Sequence, residues 1–188
     1  MRRIGASETV TDDGLSDGDG RHRLLQRLDE LGIQTKIVPY PEHRSVEEGK
    51  ALRGNHLGGR FTKNLLLQDK KRRLFLIVAD EDRAIDLKRL HLRIGANGQL
   101  RFTPPATMQD VLDVMPGTLT PLALINDLGG SVTVVVDAAL LTAEQLNFHP
   151  LVHTESMGIG PGQLLAFIAS CGREPQILDF EEVSNLQR

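Results

Sequence analysis

Few residues of this chain could carry out chemistry. The most promising are the lysine at position 63, a histidine, and the turn at 117–121, whose backbone could supply N–H donors. Hydrolysis of an already activated ester suits such groups, because it needs a placed water and donors at the developing oxyanion more than a strong nucleophile. An aminoacyl-tRNA carries an ester of this kind at its terminal ribose. The turn would supply N–H groups to the oxyanion, and Lys63 would bind the phosphate nearby.

Lys63 lies in the most strongly patterned stretch of the chain, residues 58–80. Two apolar runs, 61–67 and 74–79, flank a polar segment, which is typical of a β-hairpin whose tip faces water. Period-two alternation places Lys63 on the apolar face of the first run. Such a lysine either extends its stem and keeps its ammonium in water, or directs its charge into a cleft where an anion binds. The pattern leaves both interpretations open.

Several familiar sites are absent from the sequence. Residues 59–63 end in Thr-Lys and not in Gly-Lys-Ser/Thr, which excludes the phosphate loop of nucleotide hydrolases. His149 and His153 have a proline between them, and in an extended chain they would lie about 13 Å apart, too far to share a zinc ion. The sequence contains no Gly-x-Ser-x-Gly elbow of a serine hydrolase. We therefore predict no metal and no cofactor.

Composition limits the partners and the compartment. With 188 residues and 40% hydrophobic content the chain can bury one sizeable core, and its net charge of −3 excludes a general polycation. We expect any tRNA contact to be local and no binding to DNA. The single cysteine excludes an internal disulfide, and no run approaches the roughly 20 apolar residues that span a bilayer. These features, with the lack of a signal-peptide core, predict a soluble cytoplasmic protein.

Apolar periodicity, caps and turn residues predict an interleaved series of helices and strands. The predicted helices cover 21–31, 46–53, 86–94, 107–114 and 161–171, and the predicted strands cover 33–38, 61–67, 74–79, 100–102, 119–125, 131–136, 148–152 and 176–180. Strands occur in hairpins as well as between helices, which favours a mixed α+β sheet. Residues 1–20 are predicted to be a polar, flexible extension, 21–182 one domain and 183–188 a tail.

Three motifs carry a resemblance to a known family. Residues 62–71, 124–127 and 147–151 resemble, in sequence, order and spacing, the motifs of the YbaK/ProX family. That family comprises free-standing relatives of the editing domain inserted in bacterial prolyl-tRNA synthetase. The resemblance covers about residues 21–182, and it implies an α+β editing fold, a mixed, mostly antiparallel curved sheet flanked by helices. Within the family the chain looks most like the ProX-type proteins, which remove alanine from proline tRNA in trans.

The resemblance also implies roles for individual residues. It places Lys63 near the terminal adenosine and its phosphate and gives Asn64 and His149 pocket roles, so that these three are the expected catalytic residues. The expected substrate-binding residues are those of the Gly-x-x-x-Pro loop and the turn that follows, namely Gly117, Thr118, Leu119, Thr120, Pro121, Asn126 and Asp127. Two alternatives stay open: His149 as a hydrogen-bonded structural histidine, and Asn126 and Asp127 as a turn that caps its own backbone.

Two departures from the family pattern affect the substrate. Phe61 stands where many relatives have a histidine, and His153 where an asparagine is frequent, so the amino acid removed is less fixed than the reaction. The expected partners are the acceptor end of a mischarged tRNA and, as a second candidate, prolyl-tRNA synthetase, with no membrane. The alternatives to Ala-tRNA(Pro) are a tRNA mischarged with cysteine, serine or threonine, or a non-catalytic module that binds tRNA or a synthetase.

Overall fold

The computed structural model of the chain describes residues 17–40 and 58–181. Its helices are α1 (Asp17–Glu30), α2 (Leu87–Arg93), α3 (Pro105–Leu112) and α4 (Pro161–Ser170), with 3₁₀ helices at Pro121–Asn126 and Ala138–Thr142. Its strands are β1 (Ile37–Pro39), β2 (Arg60–Gln68), β3 (Leu74–Asp80), β4 (Arg101–Phe102), β5 (Val132–Asp137), β6 (Leu146–Phe148), β7 (Glu155–Ile159) and β8 (Gln176–Leu178). The predicted helix at 46–53 lies outside the described residues.

The described strands form one mixed sheet in the order β1-β7-β6-β2-β3-β5-β8, and β4 pairs with β2 beside this path. Antiparallel pairing joins β1 to β7, β6 to β7, and β2 to both β3 and β4. Parallel pairing joins β2 to β6, β3 to β5, and β5 to β8. The predicted α+β class with a mixed, mostly antiparallel sheet is thereby confirmed, and so is the hairpin of β2 and β3.

Helices cover both faces of the central strands, because β3 is apolar on both sides. Leu76 and Val78 pack into the larger core with α1, α3, α4 and the first 3₁₀ helix. Phe75 and Ile77 point the other way and pack against α2. Alternating residues of β2 therefore face two different environments. No helix that the described residues form is both long and apolar enough to cross a bilayer.

The predicted strand at 119–125 is wrong, because this segment forms the first 3₁₀ helix. Pro121 occupies the first turn, where backbone N–H groups have no partner within the helix, so the missing N–H of proline costs no hydrogen bond. The Thr120 hydroxyl caps that turn by accepting a hydrogen bond from the Leu122 N–H at 3.3 Å. A short, continuous apolar run is compatible with a buried strand or a buried helix, so periodicity alone could not separate the two.

Other predicted boundaries also differ from the structure, and the strand predicted at 33–38 spans only Ile37–Pro39. Helix α1 begins at Asp17, inside the segment 1–20 that was predicted to be an extension. It is fixed to the domain by Arg21, whose guanidinium pairs with the carboxylate of Glu155 at 2.6 Å. The predicted extended segment at 148–152 ends as a strand at Phe148, and Leu151 adopts a left-handed φ of 66°. The remaining residues of the extension, 1–16, and the tail at 183–188 lie outside the described residues.

Gly59 sets the close approach of β2 to β6, and its replacement is expected to destabilise the sheet. Its φ is +85°, and an added Cβ would lie 2.6 Å from the main-chain oxygen of Gln145. We predict that Gly59→Ala lowers the free energy of unfolding by about 1–3 kcal/mol in urea titrations. Gly162→Ala is the matched control, because nothing lies within 4 Å of its added Cβ. Equal stability of Gly59→Ala and wild type would contradict this account.

The hairpin tip is closed by a buried carboxylate whose bonds predict an acid sensitivity. Burial acts to raise the pKa of Asp69. Hydrogen bonds outweigh this effect and lower the pKa to about 2, and they come from the main-chain N–H groups of Asn97, Arg73 and Lys71 and from the Arg73 guanidinium. Since an unfolded aspartate has a pKa of about 3.9, this group stabilises the fold above that pH, and the contribution fades as pH falls toward the folded pKa. The stability difference between wild type and Asp69→Asn should therefore shrink between about pH 5 and pH 2. A difference that is constant over this range would contradict the prediction.

Candidate functional site

The edge of β2 opposite β3 is interrupted in its middle. β6 pairs with Arg60 and Phe61 at one end of this edge, and β4 pairs with Leu67 and Gln68 at the other. Within the described part of the chain, residues 62–65 have no strand partner on this side. The interruption leaves the main-chain edge of the Thr-Lys-Asn-Leu motif without a neighbouring strand, while its side chains project alternately to the two faces of the sheet.

Lys63 lies on the α2 face of β2 at this interruption and is half-buried. Its ammonium donates to the main-chain oxygen of Glu81 at 3.2 Å and to that of Arg83. Both acceptors belong to the turn that follows β3. The charge is therefore held by carbonyl dipoles and is not left in bulk water. An ammonium has three donors, so one N–H has no acceptor among the described residues.

Asn64 points to the opposite face of the sheet and joins β2 to the Gly-x-x-x-Pro loop. Its side-chain amide donates to the main-chain oxygen of Leu119 at 3.0 Å. Its Oδ1 is buried and accepts no hydrogen bond from the described residues. A buried acceptor without a partner is costly, so its retention marks a position where function can outweigh stability. This bond therefore connects the first motif to the Gly-x-x-x-Pro loop.

The loop itself divides into an exposed and a buried part. Gly117 is exposed with a φ of +95°, and the Thr118 N–H donates to the Met115 oxygen at 3.0 Å. The N–H groups of Gly117 and Leu119 donate to no acceptor in the described residues. Thr120 and Pro121 are buried and fix the start of the 3₁₀ helix. Two backbone donors without an acceptor among the described residues therefore directly precede the buried start of the 3₁₀ helix.

An open cavity of about 580 Å³ lies beside the exposed part of the loop. Gly117 and Thr118 line it on one side, Gln109 and Asp113 at the end of α3 form its floor, and residues 151–154 form the opposite side. His153, one of the two departures from the family pattern, is in that last segment. The cavity is large enough to hold part of a nucleotide or an aminoacyl group, and the unpaired donor of Gly117 lies at its rim.

His149 lies on the Lys63 face of the sheet. The parallel register pairs Phe61 with Asn147. Lys63 lies two residues after Phe61, and His149 lies two residues after Asn147. The Tyr40 ring contacts both sides, with ring centroids 5.3 Å from His149 and 6.5 Å from Phe61. The third motif therefore borders the same interruption as the first.

The tautomer of His149 follows from its main-chain contact. Its Nδ1 lies 2.7 Å from the Glu155 oxygen, which can only accept, so Nδ1 carries a proton and donates. In the neutral form of the ring, this contact leaves Nε2 as the nitrogen without a proton. This contact orients the ring, as the structural alternative requires, and it also sets Nε2 as the nitrogen that could accept or deliver a proton.

Asn126 and Asp127 lie at the far end of the 3₁₀ helix from Pro121. The Asn126 side chain accepts from the Arg23 guanidinium at 2.7 Å and donates to the Leu112 oxygen at 2.9 Å. Asp127 is buried and accepts from the N–H groups of Ser131 and Val132, the Ser131 hydroxyl and the Arg173 guanidinium. Burial raises the pKa of Asp127, but these donors, with Arg173 first among them, lower it on balance. The contacts of both residues are made within the fold.

The structure adds groups that the sequence analysis did not single out. The main-chain oxygens of Glu81 and Arg83 hold the Lys63 ammonium, and no sequence pattern identifies a carbonyl acceptor. Tyr40, the one tyrosine of the chain, contacts the rings of His149 and Phe61, and no sequence pattern indicates this contact. Among the residues described, no group of three or more His, Cys, Asp and Glu side chains could hold a metal ion.

Comparisons with known proteins identify the family. The model of the aminoacyl-tRNA editing domain matches residues 41–167. The chain is 40% identical over 166 residues to prolyl-tRNA synthetase associated domain-containing protein 1 of Bos taurus, which covers 86% of this chain and 96% of the relative. It is 32% identical over 135 residues to prolyl-tRNA editing protein ProX of Acetoanaerobium sticklandii, which covers 71% and 81%.

A solved structure supports the fold assignment. A candidate trans-editing enzyme for prolyl-tRNA synthetase superposes with a TM-score of 0.66 at 20% identity, covering 88% of this chain and 98% of that one. At this identity the likeness bears on the fold alone. The match of the family model, the identity to the relatives and the three motifs all agree. The chain therefore belongs to the aminoacyl-tRNA editing domain family, as the resemblance of its motifs predicts.

Proposed function

We propose that the chain is a trans-editing hydrolase that cleaves the ester of mischarged proline tRNA, with Ala-tRNA(Pro) as its substrate. The observation that carries this proposal is the hydrogen bond from Asn64 to the Leu119 oxygen, because it brings the strand motif and the Gly-x-x-x-Pro loop together. His149 borders the same interruption of the sheet from β6. The names of the relatives, which refer to prolyl-tRNA editing and to prolyl-tRNA synthetase, support proline tRNA as the substrate class.

The reaction is attack of water on the ester carbonyl, which forms a tetrahedral oxyanion and then releases the ribose hydroxyl and the free amino acid. The unpaired N–H groups of Gly117 and Leu119 are the donors that would bind the oxyanion. They precede the buried residues Thr120 and Pro121, which would limit their movement during the reaction. Catalysis here rests on placement and on preorganised dipoles.

Lys63 and His149 would act on the tRNA side of the ester. The third N–H of the Lys63 ammonium is the donor for the phosphate of the terminal adenosine. His149 follows β6 beside the same interruption, and its Nε2 would hydrogen-bond the ribose or the aminoacyl group at the rim. Asn64 would act through its bond to the Leu119 oxygen, which ties the loop to β2.

Substrate choice would follow from size. A synthetase pocket that is shaped for proline cannot strongly reject alanine, since each methylene is worth only about 1–3 kcal/mol. A second site that admits alanine but not the proline ring removes the error and spares the correct product. The acceptor end of the tRNA is the proposed partner, and prolyl-tRNA synthetase is a second one that would supply the mischarged product. Because the chain has a net charge of −3, its contacts with the tRNA would be confined to the acceptor end.

A panel of charged tRNAs tests the proposal. Purified full-length chain is mixed with proline tRNA carrying alanine, cysteine, serine, threonine or proline, and ester cleavage is followed against buffer. We expect alanine to be released fastest and proline to be retained. Faster release of serine, cysteine or threonine would show that the proposed substrate is wrong but would still support ester hydrolysis. If no ester is cleaved faster than in buffer, the enzyme proposal fails and the non-catalytic binding module replaces it.

Asn64→Ala tests the link between the strand and the loop. The variant removes the donor that anchors the Leu119 oxygen, so the loop donors lose their fixed position. We expect kcat/KM for the best tRNA of the panel to fall about tenfold, which corresponds to the roughly 1.4 kcal/mol of one well-placed hydrogen bond. Gln26→Ala is the control, because it removes an exposed amide that bonds only to Glu30 on α1. Equal rates for Asn64→Ala and wild type would remove Asn64 from the site.

A further inference from the structure

We propose that Arg83 and Asp137 are positioning residues that hold the Lys63 ammonium in its working position. This inference rests on the proposed function of Lys63 and extends the site by two residues that lie outside the family motifs. Neither side chain hydrogen-bonds the Lys63 side chain, whose acceptors are main-chain oxygens. Their effect passes through the main chain of the turn that follows β3.

The Lys63 ammonium is aimed by carbonyl groups, and its position depends on theirs. Its two acceptors are the main-chain oxygens of Glu81 and Arg83. A carbonyl can fix an ammonium only if its own peptide is fixed, and a turn on the surface is normally the most mobile part of a hairpin. Something must therefore hold residues 81–83 against the sheet.

The Arg83 side chain supplies that restraint. Its Nε donates to Asp137 Oδ2 at 3.1 Å, and its Nη1 donates to Glu181 Oε1 at 2.7 Å. The turn is also closed by its own bonds, from Arg83 N–H to the Asp80 oxygen at 3.0 Å and from Glu81 N–H to the Phe61 oxygen at 3.1 Å. The residue that presents one carbonyl to Lys63 is thus tied to the protein by its own side chain.

Asp137 is a rigid anchor for this side chain. It ends β5, the parallel neighbour of β3, and its carboxylate is fully buried. Oδ1 accepts from the Ala139 N–H at 3.0 Å at the start of the second 3₁₀ helix, and Oδ2 accepts from the Asp80 N–H at 3.5 Å. The path from the core to the site therefore runs from Asp137 through Arg83 and its carbonyl to Lys63.

The other end of the same hairpin provides a matched comparison. Asp69 is a buried carboxylate that pairs with Arg73 at 2.8 Å and caps its turn through main-chain N–H groups, as Asp137 does. No lysine ammonium donates to the main-chain oxygens of that turn among the described residues. A variant of Asp69 therefore perturbs the fold in a similar way without touching Lys63.

The first experiment measures the accessibility of the Lys63 amine and needs no catalytic activity. Folded wild type, Asp137→Asn, Arg83→Lys and Asp69→Asn are acetylated with an N-hydroxysuccinimide ester, and mass spectrometry gives the rate at Lys63 relative to the exposed Lys36. Acetylation needs the nitrogen to reach the ester, and an amino group held against two carbonyl oxygens is less accessible, so we expect Lys63 to react several-fold faster in Asp137→Asn and Arg83→Lys and at an unchanged rate in Asp69→Asn. Equal Lys63 rates in all four proteins would overturn the proposal.

The second experiment separates positioning from a general loss of structure. The kcat and KM for the best tRNA of the panel are measured for Asp137→Asn, for Lys63→Ala and for the double variant. If Asp137 acts through Lys63, we expect Asp137→Asn to lower kcat/KM about tenfold in the wild-type background and to have no effect in the Lys63→Ala background. Independent, multiplicative losses would overturn the positioning role. Inactivity of wild type on every tRNA would count against the proposed function, while the acetylation result would still decide the restraint.

Discussion

Replacing Lys63 with alanine is expected to lower kcat/KM for deacylation by about a hundredfold or more, because the ester is no longer placed by the contact between the ammonium and the phosphate. The variant should remain folded, because the residue is only half-buried and water can replace the ammonium at the oxygens of Glu81 and Arg83. Single-turnover cleavage of Ala-tRNA(Pro), with the circular dichroism spectrum and the urea midpoint measured on the same sample, tests both halves of this prediction.

Lys71→Ala is the matched control for this experiment. Lys71 lies at the exposed hairpin tip, on the same strand pair as Lys63, and its replacement changes the net charge by the same amount. We expect its rate to stay within about twofold of wild type at moderate salt, since exposed charges are screened over roughly 8–10 Å. Equal losses for both variants would indicate a general electrostatic effect, and wild-type turnover by Lys63→Ala would remove Lys63 from the mechanism.

Asp127→Ala is expected to be the most destabilising single change among the residues discussed, lowering the free energy of unfolding by about 3–5 kcal/mol. The variant leaves the Arg173 guanidinium without its buried carboxylate and the N–H groups of Ser131 and Val132 without an acceptor. Urea unfolding at pH 7 measures the loss. Because the pKa of Asp127 is lowered in the fold, the difference from wild type should be largest above about pH 4 and shrink in acid.

The same variant separates the two roles that the sequence left open for this turn. Asp110→Ala on the exposed side of α3 is the control and should change stability by no more than about 0.5 kcal/mol. If Asp127 caps its own turn, the folded fraction of Asp127→Ala should retain most of its deacylation rate at low temperature. Full stability combined with lost activity would instead place Asp127 in the substrate pocket.

The local parts of the fold could be predicted from the sequence. The hairpin of β2 and β3 was marked by two apolar runs around a polar tip, and α2 and α4 by their periodicity and terminal glycines. The alternation along β2 also separates Lys63 from Asn64, because neighbouring side chains of a strand point to opposite faces. The run at 119–125 could not be assigned, since burial makes a strand and a 3₁₀ helix look alike in sequence.

The assembly of the site depends on non-local pairing. No single-sequence pattern indicates that β6 and β4 share one edge of β2 and leave residues 62–65 between them. The acceptors of the Lys63 ammonium are equally hidden, because they are main-chain oxygens that any residue type could supply. The order and spacing of the family motifs predicted the family, and the contacts that connect those motifs came from the structure.

One measurement tests the central claim most directly, namely the rate of amino acid release from Ala-tRNA(Pro) and from Pro-tRNA(Pro) at equal concentrations of the full chain. The account predicts that the alanine ester is cleaved many-fold faster than in buffer and that the proline ester is cleaved at the rate in buffer. Cleavage of neither ester, or equal cleavage of both, would contradict a site that pairs fixed oxyanion donors with a pocket selecting by size.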